Sequence, residues 1–134
     1  MRKFVFLLVL LAGGRALCAA QDASQAYNFT ASGNDFLRVC DDANIALVTR
    51  GACVGYVNGV LDGFHGAYAL GNAAAGRPVE TGQPFCLRPE VTMGQKLKVV
   101  IQFLKTHPAE TDLPMDILIL HATVEAFPCP KPTK

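Results

Sequence analysis

Apolar residues recur at helical spacing through most of this chain, and no stretch alternates long enough to compete as a strand. Four helices are predicted. The first opens at Ser32 or Asn34, either a good N-cap, and carries Phe36, Leu37, Cys40, Ala43, Leu47 and Val48 before Arg50-Gly51 ends it. The second runs from about Cys53 to Leu70, with Cys53, Tyr56, Val57, Val60, Phe64 and Ala67 as its apolar side. A loop from Gly71 to Phe85 follows, punctuated by Gly71, Gly76, Pro78, Gly82 and Pro84. The third helix has a capping box in Thr92-Met93-Gly94-Gln95, then Leu97, Val100, Ile101 and Leu104, and stops before Pro108. The fourth takes Asp112 as N-cap and Pro114 in its first turn, with Ile117, Leu120, Val124 and Phe127 as its stripe and Pro128 as its stop. The expected fold is all-α, a small bundle of about four helices occupying residues 32–129.

The ends read differently. Met1-Arg2-Lys3 precedes an unbroken apolar run from Phe4 to Ala12, and small residues follow to Ala20. The run is too short for a bilayer span, which needs about 20 residues, but suits a secretory signal peptide cleaved after Ala20. A retained anchor or a lipidated Cys18 is the weaker alternative, because Leu17 and Arg15 suit lipid attachment poorly. Residues 21–31 are expected to be a flexible lead-in and 130–134 a disordered tail. Asn28-Phe29-Thr30 matches a glycosylation sequon, relevant only in a eukaryotic secretory route.

Cleavage would change the arithmetic. It removes Arg2, Lys3 and Arg15, taking Lys+Arg from 12 to 9 against 11 acidic residues, and the formal charge from +1 to −2. A chain so balanced, with no Trp, lacks the basic face and stacking surface of a nucleic-acid binder. Cys18 leaves with the leader, and Cys40, Cys53, Cys86 and Cys129 remain as two disulfides of an oxidising compartment, the bacterial periplasm fitting the short signal. Cys86 and Cys129 flank the predicted hairpin of helices three and four at one end, so their pairing is expected, leaving Cys40 with Cys53. The second pair needs helix one to break early, near Asp41-Asp42. A cross-link between the two halves is the alternative.

Glycines mark the second helix. Gly51, Gly55, Gly59 and Gly63 recur every fourth residue, and at 100° per residue Gly55, Gly59, Gly63 and Gly66 share one side. Each interior glycine costs about 1 kcal/mol relative to alanine, so close packing against helix one or four is the expected return. A dimer or partner interface is the other reading. Asp62 projects beside the stripe, positioned to cap a neighbouring helix or to meet a basic residue of a partner.

Catalytic chemistry is sparse. His65, His107 and His121 show no zinc-ligand spacing, no C-x-x-C pair or G-x-S-x-G elbow occurs, and the four cysteines are committed to bridges. Asp41-Asp42 reads as a helix-surface pair. No enzyme, metal or cofactor is expected, and binding is what remains.

Cys40, then Cys53-Val-Gly55-Tyr56-Val-Asn-Gly59 with Asp62, then Phe85-Cys86-Leu-Arg-Pro89 with Val91-Thr92 and Gln95, form an ordered series. It continues through Phe103-Leu104, His107-Pro108 and Phe127-Pro128-Cys129. In order and spacing the series resembles the periplasmic immunity proteins of type VI secretion systems, the Rap/Tai family, from about Gly33 to Cys129. The resemblance implies an all-helical, disulfide-stapled body that binds a cognate cell-wall amidase effector, covers its active site and spares the host wall. It also implies a possible homodimer. The matched residues Gly55, Tyr56, Gly59, Asp62, Pro89, Gln95, Pro108, Phe127 and Pro128 are mostly scaffold types. The loop from Gly71 to Phe85 is the expected protrusion, with Arg77 and Glu80 as charged tips, or else an ordinary connector. A small periplasmic stress chaperone, an envelope-binding protein without immunity role, and an envelope enzyme are the competing classes.

Overall fold

The computed structural model describes residues 28–130. The expected leader, most of the lead-in and residues 131–134 of the tail lie outside them. Among the described residues the chain forms four helices: α1 (Gly33–Cys40), α2 (Leu47–Ala74), α3 (Met93–Thr106) and α4 (Met115–Ala126). A short 3-10 turn, Pro108–Glu110, joins α3 to α4. No strand occurs among the described residues.

The core lies where the four helices meet. Phe36 of α1, Cys53, Val57 and Leu61 of α2, Val100 and Leu104 of α3, and Met115, Leu118 and Ile119 of α4 are fully or almost fully buried. Phe29, Phe36 and Tyr56 add an aromatic edge, with Phe29 and Tyr56 nearly perpendicular at 5.7 Å. Burial pushes the Tyr56 phenol up, and the negative charge of Asp116 adds to the effect.

The first helix is shorter than its apolar pattern predicts. Ser32 caps it, accepting the Asp35 amide, and the chain leaves helical geometry at Asp41. The cause is local: the Asp42 carboxylate accepts the Asn44 N–H at 2.8 Å, an Asx turn that competes with further helix. Asp41 then caps α1 and pairs with Lys105 at 2.7 Å, so Asp41-Asp42 is a turn and not a helix-surface pair. Leu47 and Val48 belong to α2 and are 87% and 82% exposed, outside the core assigned to them. The turn brings Cys40 back to Cys53, and the second disulfide joins Cys86 to Cys129, so both expected pairings are present.

Two further boundaries differ. α2 extends at both ends, to Leu47 and Ala74, so the loop begins at Ala75 and not at Gly71. Pro114, not Asp112, stands at the N-cap of α4, and the Asp112 side chain instead accepts from Asn34. The α4 register follows from that start: Leu118, Ile119 and Ala122 face inward, while Ile117 and Val124 are 39% and 40% exposed. In α3 the capping box forms as read, with Thr92 accepting the Gln95 amide and the Gln95 side chain accepting the Thr92 amide.

The glycine whose bareness packing requires is Gly33. A Cβ there would stand 2.7 Å from Leu104 and 2.9 Å from Leu118, because the Gly33 amide donates to the Thr111 carbonyl at 2.8 Å. The ladder on α2 behaves differently. A Cβ at Gly51, Gly55, Gly59, Gly63 or Gly66 would meet nothing within 4 Å, so the expected packing against helix one or four is absent. The core of α2 is on Cys53, Val57 and Leu61, and the glycines stand on the opposite side of the helix, towards solvent.

Alanine at Gly33 should therefore destabilise the fold by about 2 kcal/mol through overpacking. Alanine at Gly55, Gly59 or Gly63 should stabilise it, each by up to about 1 kcal/mol. Urea denaturation of the four single variants checks both signs; destabilisation by the α2 alanines would show that another chain covers that side. Removing the Cys40–Cys53 bridge, which spans 13 residues, should cost about 3 kcal/mol, and removing Cys86–Cys129, which spans 43, about 4 kcal/mol.

Candidate functional site

The longest irregular segment, residues 75–92, is built on side chains of the last turns of α2. Asn72 is buried, and its side-chain amide donates to the Val79 carbonyl at 3.0 Å and the Thr81 carbonyl at 3.1 Å. Its own carbonyl accepts the Arg77 amide at 2.9 Å. One turn earlier, the Tyr68 hydroxyl donates to the Gly82 carbonyl. One turn before that, His65 Nδ1 and Gln83 Nε2 are 3.3 Å apart. Gly82 sits at φ +72°, where a side chain is strained, and a Cβ there would also stand 3.1 Å from the Tyr68 hydroxyl.

The inner limb of the loop is apolar and packed. Phe64 stacks on Tyr68 at 5.8 Å and lies against Phe85 at 5.7 Å. Phe85 is buried, and the next residue, Cys86, is doubly tied: its amide donates to the Phe127 carbonyl at 2.9 Å and its sulfur bonds Cys129. The segment is thus folded back on α2 by hydrogen bonds along its outer limb and anchored covalently on its inner limb.

The charged tips take distinct places. Glu80 is exposed between the two carbonyls that Asn72 holds, and Arg77 is exposed at the turn leaving α2. Asp62 is exposed on α2, and both Asp62 and Glu80 border one cavity of about 320 Å³ between α2 and the inner limb. Arg77 is not among the residues that line it. Sequence reasoning singled out the three charges but missed Asn72, Tyr68 and Gly82, which fix the loop. No spacing in the sequence marks the role of Asn72, because it depends on where its side-chain hydrogen bonds land.

The other matched residues are structural. Tyr56 is half-buried against Phe29 and Phe36, Gln95 completes the α3 capping box, and Pro108 starts the 3-10 turn. Phe127 supplies the carbonyl that holds Cys86, whereas Pro89 and Pro128 are exposed loop residues. Gly55 and Gly59 face solvent.

The histidines are dispersed. His107 stacks on Phe103 at 4.1 Å and its Nε2 stands 3.7 Å from Glu125, while His121 stands 3.3 Å from Glu110. Among the described residues no group of three or more His, Cys, Asp or Glu side chains converges to hold a metal ion. The cleanest carboxylate perturbation is structural: hydrogen bonds from Arg38 and then Ser32 hold the Asp35 carboxyl below its usual range, at the first turn of α1.

A family model for Rap1a immunity proteins matches residues 32–129. The chain belongs to that family. The matched span opens on the Ser32 cap of α1 and closes on Cys129, so it takes in all four helices and both disulfides. Searches of curated proteins and of solved structures return no match. Hydrogen bonds and a disulfide that hold a loop in one conformation lower the ordering entropy that any binding by it would cost, so the rigidity of this segment is the property to test.

Removing the Asn72 side chain tests that rigidity. Asn72→Ala should cost about 1–2 kcal/mol in urea denaturation, and amide exchange at Thr81 and Gln83 should accelerate while exchange in α3 and α4 stays slow. Unchanged exchange in the loop would show that these hydrogen bonds do not order it.

Proposed function

We propose that this chain is a periplasmic immunity protein that binds and inhibits a peptidoglycan amidase delivered by type VI secretion, without catalysis of its own. Membership of the Rap1a immunity family carries the reading. Two disulfides suit an oxidising compartment reached by the leader read in the sequence. Among the described residues no helix is long and apolar enough to cross a membrane.

Protection works by occupation. A hydrolase delivered into the envelope must be met there, before it reaches the wall, by a partner that holds its shape. The loop from Ala75 onward, with Arg77 and Glu80 at its exposed turns, supplies the contact segment, and the disulfides at its base and at α1 supply the stiffness.

A cell carrying the chain and a cognate peptidoglycan amidase delivered by type VI secretion supplies the test. Deleting the immunity gene should cause lysis when a neighbour delivers the amidase to the periplasm, and a copy expressed with its leader should restore survival. A leaderless copy should not restore it, because the cytoplasm separates the protein from the delivered enzyme. Survival of the deletion strain under that challenge, with the amidase shown to be active, would remove the immunity reading.

A further inference from the structure

The cavity between α2 and the inner limb of the loop, about 320 Å³, joins an apolar floor to an acidic rim. Leu61, 2% exposed, and Phe85, 6% exposed, form the floor with Leu87. Asp62 stands on the rim from α2 and Glu80 from the loop, with His65, also on α2, engaged by Gln83. No Lys or Arg lines this cavity. The ion pairs among the described residues use Asp35, Asp41, Glu110 and Glu125, which leaves both rim carboxylates without a cation.

The backbone that carries the rim is held before anything binds: Asn72 grips the carbonyls on either side of Glu80, and Asp62 belongs to α2. A metal ion is a poor match, since Asp62, His65 and Glu80 do not converge as a ligand set and an apolar floor does nothing for a hydrated cation. The complementary group has a cationic head and an apolar stem. Arginine combines the two: its planar guanidinium suits carboxylates, and its methylenes cover apolar surface.

We propose that this cavity receives an arginine side chain of the protein that the chain binds, with the guanidinium at Asp62 and Glu80 and the stem over the Leu61–Phe85 floor. The identity of that protein rests on the immunity reading; the chemistry of the cavity does not.

Two arms separate these dependencies. In the first, the isotope-labelled, disulfide-bonded chain is titrated with N-acetyl-arginine methylamide and with its neutral isostere N-acetyl-citrulline methylamide, and backbone amide shifts are followed by NMR. The arginine compound should give saturable shifts confined to Asp62, His65, Glu80 and Leu87, and the citrulline compound should give none. The double variant Asp62→Asn/Glu80→Gln, whose melting curve verifies the fold, should weaken arginine binding by about fivefold. Equal shifts with citrulline, shifts scattered over other acidic residues, or no effect of the double variant would overturn the assignment.

In the second arm, the double variant should bind the proposed amidase target about tenfold more weakly than wild type. Equal binding by the two forms would overturn the proposal while leaving immunity intact. If wild type binds no amidase yet the arginine titration succeeds, the immunity reading fails and the cavity assignment stands. Sedimentation of both forms completes the test: a self-association abolished by the double variant would assign the cavity to a second copy of this chain and overturn a foreign partner.

Discussion

The Cys86–Cys129 bridge fixes the point from which the rest of the exposed architecture is hung. It ties the long irregular segment, at Cys86, to the chain just past α4, and the Cys86 amide donates to the Phe127 carbonyl beside it. Without that tie the inner limb would be held only by Phe85 and Leu87 against the core, and a loop of this length would carry a large ordering entropy. With it, the loop is closed at one end covalently and at the other by α2 itself. Asn72 and Tyr68 then need to fix only the outer limb.

The second bridge does a different service. A body this small buries a limited core, and α1 contributes only Phe36, Val39 and Cys40 from its eight residues. Its attachment depends on the Cys40–Cys53 bond and on the docking of its first turn onto the Thr111 carbonyl, where Gly33 permits the approach. Both bridges therefore secure segments that the hydrophobic core alone holds weakly. The surface that results is concave between loop and helix, rigid on both sides, and acidic at its rim. Among the described residues no group of three or more His, Cys, Asp or Glu side chains converges to hold a metal ion.

Local signals in the sequence carried most of the fold. The capping box at Thr92–Gln95 is a four-residue interaction and forms as read, and the cysteine positions led to the right pairs because hairpin geometry places helix ends together. Errors arose where a periodic pattern ran across a local breaker. Leu47 and Val48 continue the helical spacing of α1, yet the Asx turn at Asp42–Asn44 is stronger than the pattern and starts a new helix. Ile117 and Val124 fit a stripe on α4, but the inward side is chosen by neighbours, and Leu118, Ile119 and Ala122 take it. The candidate site was legible only in part. Asp62 was read as a helix cap or a contact for a partner's basic residue and Glu80 as a tip of the loop, whereas their meeting across one cavity depends on tertiary placement. The loop-fixing role of Asn72 depends on where its hydrogen bonds land, which no spacing encodes.

The central claim is that this chain acts by occupying another protein's site. The most direct measurement titrates the purified, disulfide-bonded chain into a digestion of isolated sacculi by a type VI secreted peptidoglycan amidase proposed as its target. The account predicts a linear loss of activity that reaches zero at one binding site per enzyme, with no processing of the sacculi by the chain alone. Undiminished digestion in the presence of excess chain, or release of wall fragments by the chain itself, would contradict it.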